Sequence, residues 1–578
     1  MTKEYTMASC LAEYLTLKAE RAEWEAEWRD ISDYLLPGRG IYSTLSTPQK
    51  RKLTSPKTIN TVGRDALRVL TSGVQGGLIP SSRPWLELAW KDKSLNKIGF
   101  FKDWIYEAQQ VLATDFQDTN FYPTNSSAIT EVAGFGTMAV FVDSDAGDKP
   151  FQFILLTAGE YVFSVDYLGR PDKFYRMVFM TPRNLIERFG KGRVSLSTRQ
   201  IVENNSSIQD KKFIAVLECV LPIKYQDKPI KRMFWEVGSA GVGEAAMVQY
   251  ANTNSAIQGP LQVSGFYEFP VAIGRWETIG QDQYGLGPGS EALPEIKRLQ
   301  EMEKASRMAV HKDVDPPLSA PSYMKGKLVS LPGSKNYYRN PQDKISPLYA
   351  RAFNYQGIDN KIERVEMGIK LKFFNDIFLT ASRDPNASPM KAAEVQVKEG
   401  EKLLRLGSVV ERLIPEFFNP MITRCFNINL RNGRFPEIPD EYKDMISPFS
   451  ITFTSPLAQA QKLIASKSIE QTLAFVGQAA SMLPEVMDKI DTDVAIDEYA
   501  DAHGTTRRIF NSEEKVAKIR QDRAKAQQAQ QQKAEKMQEA EMGAKTGPAE
   551  AGMAKTRAET GQIMTEALVD QQGLGGLV

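Results

Sequence analysis

The residues of this chain that could do chemistry are few and poorly spaced for it. The two histidines, His311 and His503, stand far apart, and neither has partners for a zinc cluster or a Ser-His-Asp arrangement. Asp313 and Asp315 form a DxD pair of the kind that can hold Mg²⁺. Pro316 and Pro317 follow at once, so the better reading is a turn that ends a helix, with His311 favourably placed in its last turn. GLGPG at Gly285 to Gly289 looks like a phosphate-binding loop, but no Lys-Ser/Thr follows, and Pro288 removes one of the donors that would cradle phosphate. It reads instead as a flexible entry to a helix. Cys10, Cys219 and Cys425 are odd in number and widely separated, which argues against a disulfide framework and fits a reducing cytoplasm. The expectation is a protein that is not an enzyme and that holds no cofactor and no metal.

Composition narrows the remaining classes. A chain of 578 residues exceeds a single hydrophobic core and should divide into several domains. Lys plus Arg is 72 and Asp plus Glu is 71, so there is no bulk attraction to nucleic acid or to acidic membranes. No apolar run approaches the roughly 20 residues that span a bilayer. The start, MTKEYTMASCLAEYL, carries Glu4 and Glu13 and does not read as a signal peptide.

The informative part is the elements that would position side chains for contact. Residues Ser9 to Leu36 read as one amphipathic helix docked by Trp24 and Trp28, and Thr58 to Leu78 as a second ending at Gly76-Gly77. SSRPWLELAW begins a strand, and helices follow at Phe100 to Phe116 and Ser126 to Thr137. From Pro150 to Pro270 the texture is of strands, FQFILLTAGEYVFSVD, DKFYRMVFM, KFIAVLECVLPIKY, KRMFWEVG and FYEFPVAIGRW, as in a mixed or antiparallel sheet. TPRNLIERFG interrupts them as a short helix capped by Thr181. The fold class is therefore α+β.

A helix capped by Ser290 then runs to the DxD turn, and IDNKIERVEMGIKLKFF brings the chain back. Between them lies a Pro- and Tyr-rich lobe with short candidate strands around Lys327 to Leu331. There Lys325, Lys327, Lys335 and Arg339 sit among Tyr323, Tyr337 and Tyr338, the make-up of a protein interface. The polar loop TASRDPNAS, with a turn at Asp384-Pro385-Asn386, precedes a helix from Ser388 to about Leu430 that should kink or break at Pro415 and Pro420. At forty-odd residues that helix would be on the order of 60 Å long, a strut rather than a core element. Beyond Asn511 there is no aromatic residue, and Ala, Gln, Glu and Lys favour helix, as a frayed tail or as a bundle of copies.

In this order the segments ISDYLLPGRG, GRDALRVLTSGVQGGLIPSSRPWLEL, SSAITEVAGFGTMAVFVD, GRWETIGQDQYGLGPGSEALPEIKRLQ and FLTASRDPNASPMKAAEVQVKEGEKLLRLGSVVERLIPEFFNPMI, with the Ala/Gln-rich end, span nearly the whole chain. Together they resemble the portal, or head-to-tail connector, family of short-tailed, podovirus-type bacteriophages. The resemblance implies a wing over residues 1–288, a stem helix over 289–313, a clip over 314–356, a second stem helix over 357–377 and a tunnel loop over 378–388. A long kinked helix over 389–431, a helical crown over 432–510 and a helical tail or barrel over 511–578 complete it. It further implies a twelve-subunit ring at one capsid vertex of the virion, assembled in the host bacterial cytoplasm. Double-stranded DNA would pass through that ring without sequence specificity. Its partners would be the terminase motor and then tail adaptor proteins at the clip, and major capsid and scaffold proteins at the wing, with no membrane. Arg383 and Asn386 of the tunnel loop, with Lys370 and Lys372, are the channel residues so implied, and Arg383 could equally pair with a neighbouring subunit. Near neutrality suits passage of DNA, since each neutralised phosphate adds an attraction that must be broken during movement. The rival reading is an internal virion protein ejected to act at the host membrane, which the tail, poor in large apolar side chains, fits badly.

Overall fold

A computed structural model describes residues 5–546. Outside the description are 41–56, 93, 96–97, 145–148, 205–211, 241–242, 255–257, 330, 332, 339, 349–354, 379–404, 440–447, 455–471, 479–490, 492–493, 497–498 and 500–512. The chain divides into two compact units, residues 1–91 with 103–506, and residues 92–102 with 507–578.

The helix expected over Ser9–Leu36 is two, α1 (Met7–Glu20) and α2 (Ala22–Tyr34). Arg21 stands at the junction because its side chain is buried. Its guanidinium donates to Glu25 Oε1 at 3.0 and 2.7 Å and to the Tyr161 carbonyl, which turns the chain there. The two tryptophans dock α2: the Trp28 indole donates to the Phe135 carbonyl at 3.1 Å, and Trp24 and Trp28 both contact Tyr284. Helix α3 (Val62–Leu78) starts later than Thr58 and ends at Leu78 as expected, directly after Gly76-Gly77. Strand β1 (Leu86–Trp90), helix α4 (Gly99–Asp118) and helix α5 (Phe121–Phe135) follow, the last starting earlier than Ser126.

One apparent strand proves to be two. FQFILLTAGEYVFSVD breaks at a turn in which the Glu160 N–H donates to the Thr157 carbonyl at 3.1 Å and Gly159 takes a φ of 84°. The result is β3 (Gln152–Leu156) and β4 (Tyr161–Val165), in different sheets. FYEFPVAIGRW yields one strand, β9 (Val271–Arg275), in the first of these sheets, while its first residue, Phe266, ends a strand that lies mostly before it, β8 (Gln262–Phe266), in the other. With β2 (Thr137–Asp143), β5 (Pro171–Met180), β6 (Ile214–Leu221) and β7 (Ile230–Ser239), these form a three-stranded sheet, β3-β2-β9, and a five-stranded one, β4-β5-β6-β7-β8. All pairings are antiparallel.

Alternation assigns the faces of the larger sheet. Tyr175, Met177, Leu217, Cys219, Met233 and Trp235 pack against α1 and α8 (Glu244–Asn254), a helix the sequence reading missed. On the opposite face Val216 and Phe234 pack under α6 (Pro182–Phe189), capped as expected by Thr181, and beside α7 (Leu196–Glu203), also missed. That face also carries Glu218, 0% exposed, held by Arg176 Nε at 3.0 Å and Arg232 Nε at 2.7 Å. Burial by itself would raise the Glu218 pKa, but the two guanidiniums keep the carboxyl below its usual range.

Helix α9 (Pro288–Val314) is capped by Gly287, with Pro288 in its first turn, and not by Ser290. The strands expected at Lys327–Leu331 are absent among the described residues there, because the Asn336 side chain accepts from the Val329 N–H at 3.0 Å and donates to its carbonyl at 2.7 Å. The lobe is closed at its base by β10 (Leu318–Ser319) against β11 (Ser346–Pro347). Helix α10 (Tyr355–Lys372) does not continue to residue 377: Phe374 takes a left-handed φ of 54° and a separate short turn, α11 (Asn375–Phe378), follows. The Phe378 ring lies where a Cβ on Gly73 of α3 would be. The loop TASRDPNAS and the start of the long helix lie outside the described residues.

The described part of the long helix runs Gly407–Leu413, then a π-helical turn Ile414–Phe418, then Asn419–Arg431. Pro415 has no N–H to donate and crowds the preceding turn, and the wider π turn absorbs this without ending the helix. Glu416 within that turn accepts from Arg275 Nε and Nη2, both at 3.1 Å. Strand β12 (Phe449–Phe453) pairs with β1, joining parts of the chain far apart in sequence. In the second unit, a helix runs Glu513–Thr546.

Candidate interaction site on the helical hairpin

Helices α9 and α10 form an antiparallel hairpin fixed at three levels. At its foot Lys372 Nζ donates to the Glu291 carbonyl at 2.8 Å and lies 3.5 Å from Glu295 Oε1. Midway, the Asn60 amide donates to Glu303 at 2.9 Å and to Glu366 at 2.8 Å, one acceptor on each helix. Buried Gln300 secures Asn60 in turn, accepting from the N–H groups of Ile59 and Asn60 at 2.6 and 2.8 Å and donating to the Asn60 carbonyl at 2.9 Å. At the far end the Tyr355 hydroxyl donates to Asp313 Oδ2 at 2.6 Å, and this bond pushes the phenol pKa up to about 12. Asp313 is thus committed, and Asp315 ends α9, its N–H donating to the His311 carbonyl at 2.9 Å. The DxD is a helix terminus.

The glycines of GLGPG are equally occupied. Trp276 N–H donates to the Gly136 carbonyl at 2.9 Å, Gly285 N–H to Thr137 Oγ1 at 2.8 Å, and Glu277 and Leu286 exchange two backbone bonds. A Cβ on Gly136 would overlap the Gly285 carbonyl, and one on Gly289 would overlap that of Gly134. These glycines are a backbone clasp between the end of α5 and the start of α9, which sets where the hairpin begins. The missing Lys-Ser/Thr and Pro288 already spoke against a phosphate loop, but no sequence signal points to the clasp itself, because its partners at Gly134, Gly136 and Thr137 lie about 150 residues earlier in the chain.

The lobe between the helices closes on itself. The Tyr323 hydroxyl donates to Asp343 at 3.1 Å, Ser334 Oγ to the Val329 carbonyl at 2.7 Å, and Met324 is its buried residue. Lys325, Lys327, Lys335, Tyr337 and Tyr338 all face solvent, while Arg339 lies outside the described residues. Around them Val314 is 81% exposed, Leu331 70%, Tyr337 81% and Leu348 63%. These exposed apolar side chains beside lysines make the lobe a candidate contact surface. Lys370 and Lys372 sit at the other end of α10, and 18 helical residues set them about 25 Å from the lobe. Lys370 is exposed and Lys372 is bound as described. Arg383 and Asn386 lie outside the described residues.

Among the described residues no group of three or more His, Cys, Asp or Glu is placed to hold a metal ion. No described helix is long and apolar enough to cross a membrane. Residues 8–510 match the model of the bacteriophage head to tail connecting protein family. The chain belongs to that family. Among proteins similar to this head to tail connecting protein is the portal protein of Salmonella phage epsilon15, 33% identical over 548 residues, covering 93% of this chain and 94% of its own. The probable portal protein of Bordetella phage BPP-1 is 31% identical over 540 residues, with 93% and 94% covered. A chain of the virion of a native gene transfer agent particle is similar over 72% of this chain and 95% of its own, at 11% identity and a TM-score of 0.29, too low to bear on the fold.

Proposed function

We propose that this chain is a phage portal protein, a virion component forming a ring at one capsid vertex through which double-stranded DNA is packaged and ejected. The observation that carries the reading is family membership over residues 8–510, with a portal protein and a probable portal protein covered almost end to end. The hairpin supports it. A rigid pair of helices, pinned at three levels, ends in a lobe that exposes apolar and basic side chains to a partner.

In this reading residues 314–356 are the clip, where the terminase motor docks and tail adaptor proteins replace it, between stem helices over 289–313 and 357–377. Residues 1–288 are the wing, met by capsid and scaffold proteins. Residues 378–388 are the tunnel loop, 389–431 the long helix, 432–510 the crown and 511–578 a helical tail or barrel. Arg383 contacts phosphate, with Asn386 on the same loop and Lys370 and Lys372 as weaker candidates farther along the channel wall. The Lys372 ammonium is engaged by α9. The rival reading, an ejected protein acting at the host membrane, has no described membrane-spanning helix to support it.

The test is assembly without DNA. At a net charge of +1, nucleic acid has no role as glue, so nuclease-treated protein should give rings with a central hole in negative stain and a twelve-subunit mass by light scattering. A monomer at every salt concentration rejects the reading. Arg383→Ala should leave the ring intact and reduce DNA retention or packaging, independent of base sequence. Failed ring formation would assign Arg383 to the contact between subunits, and wild-type packaging would dismiss both roles.

A further inference from the structure

Among the described residues, two surfaces of opposite charge remain unmatched, on different sides of the five-stranded sheet. The first is the α6–α7 pair. Arg183, Arg188, Lys191, Arg193 and Arg199 stand against only Glu187 and Glu203, on a chain whose net charge is +1. Lys191 pairs with Glu203 at 2.7 Å, and Arg193 and Arg199 donate to backbone carbonyls. Among the described residues Arg183 and Arg188 have no carboxylate partner. Arg188 is held instead over the rings of Phe189 and Phe234, at 5.3 and 5.1 Å, which fixes its direction. Burial, and then neighbouring Arg232, lower its pKa, so an arriving anion would relieve it. Leu196 is 72% exposed beside these cations, an apolar side chain without cover.

The second surface is the α1–α2 junction. Glu23 and Glu27 share one face of α2 at i and i+4, and Glu20 precedes them at the end of α1. Like charges at this spacing repel. The nearby cations are already used: Arg21 and Arg29 by Glu25, and Lys297 by Asp30. Glu27 Oε1 is buried with no hydrogen-bond partner among the described residues. The junction is anchored at Tyr161, at the start of the outermost strand β4. Helices α6 and α7 instead cover β6 and β7, on the face opposite α1.

We infer that the Arg183/Arg188 surface of one protomer docks on the Glu20/Glu23/Glu27 surface of the next copy. A closed ring needs a head-to-tail contact between two different faces of the same chain, and these faces are complementary in charge and separate in position. The inference rests on the ring reading above.

Charge exchange tests it. Full-length Arg183→Glu/Arg188→Glu and Glu20→Lys/Glu23→Lys proteins should each need about tenfold more protein to assemble at physiological salt, or fail to assemble. The protein carrying all four changes should assemble within about twofold of wild type. Circular dichroism and thermal melting check that each variant is folded. Rings unaffected by either reversal, or folded reversals that the combined variant does not rescue, overturn the pairing. Intact rings with lost binding to a polyanion such as heparin would assign the α6–α7 surface to nucleic acid and overturn it too. Wild type run alongside separates the failures: a monomeric wild type rejects the ring itself, whereas a ring without rescue rejects only this contact.

Discussion

Replacing Gly136 by valine is expected to leave little soluble protein and no assembled rings. Gly136 has a φ of 82°, a conformation that costs a β-branched residue about 1–3 kcal/mol before any contact is considered. Its new Cβ would also overlap the Gly285 carbonyl. Neither backbone can yield, because Trp276 N–H holds the Gly136 carbonyl at 2.9 Å and Thr137 Oγ1 holds Gly285 N–H at 2.8 Å. The combined loss should exceed about 4 kcal/mol, a large share of a protein's whole stability. Gly76 supplies the control: it lies within α3, and a Cβ there would meet nothing within 4 Å. Gly76→Ala should stabilise by up to about 1 kcal/mol. Soluble yield and thermal melting measure both, and a wild-type melting curve for Gly136→Val would reject the clasp.

Replacing residues 316–353 with a short Gly-Ser linker, keeping Asp313 and Tyr355, should leave a folded, ring-forming body that neither binds the packaging motor nor packages DNA. The lobe's bonds at Tyr323, Ser334 and Asn336 close on the lobe itself, and among its described residues the one buried apolar side chain is Met324, so the rest of the fold loses little with it. What is lost is the exposed surface of Leu331, Tyr337 and Leu348 with Lys325, Lys327 and Lys335. Melting should change by no more than about 1 kcal/mol of stability. Motor binding at wild-type affinity by the shortened protein would remove the lobe from the docking role.

Helices, strands and the order of both were legible wherever the signal was local. The α9–lobe–α10 hairpin, the strand-rich stretch before it and the Thr181 cap all follow from periodicity, turn residues and capping, which act within a few residues. Even the disturbance at Pro415 could be foreseen, since a missing N–H is a property of the residue itself. Tertiary structure decided the features with distant partners. Whether Arg21 interrupts a helix depends on a carbonyl at Tyr161, and whether Pro415 breaks the long helix or is absorbed in a π turn depends on the surroundings of that turn, where Arg275 holds Glu416. FQFILLTAGEYVFSVD reads as one strand because its apolar residues continue, but its two halves pair with different neighbours. GLGPG and the Asp313/Asp315 pair share their composition with phosphate and metal sites. Only Gly136, Thr137 and Tyr355, brought close by folding, show that their hydrogen-bonding capacity is already taken. A residue's own conformational preferences are written in its type, whereas the partners that satisfy its polar groups are supplied by chain that may lie hundreds of residues away.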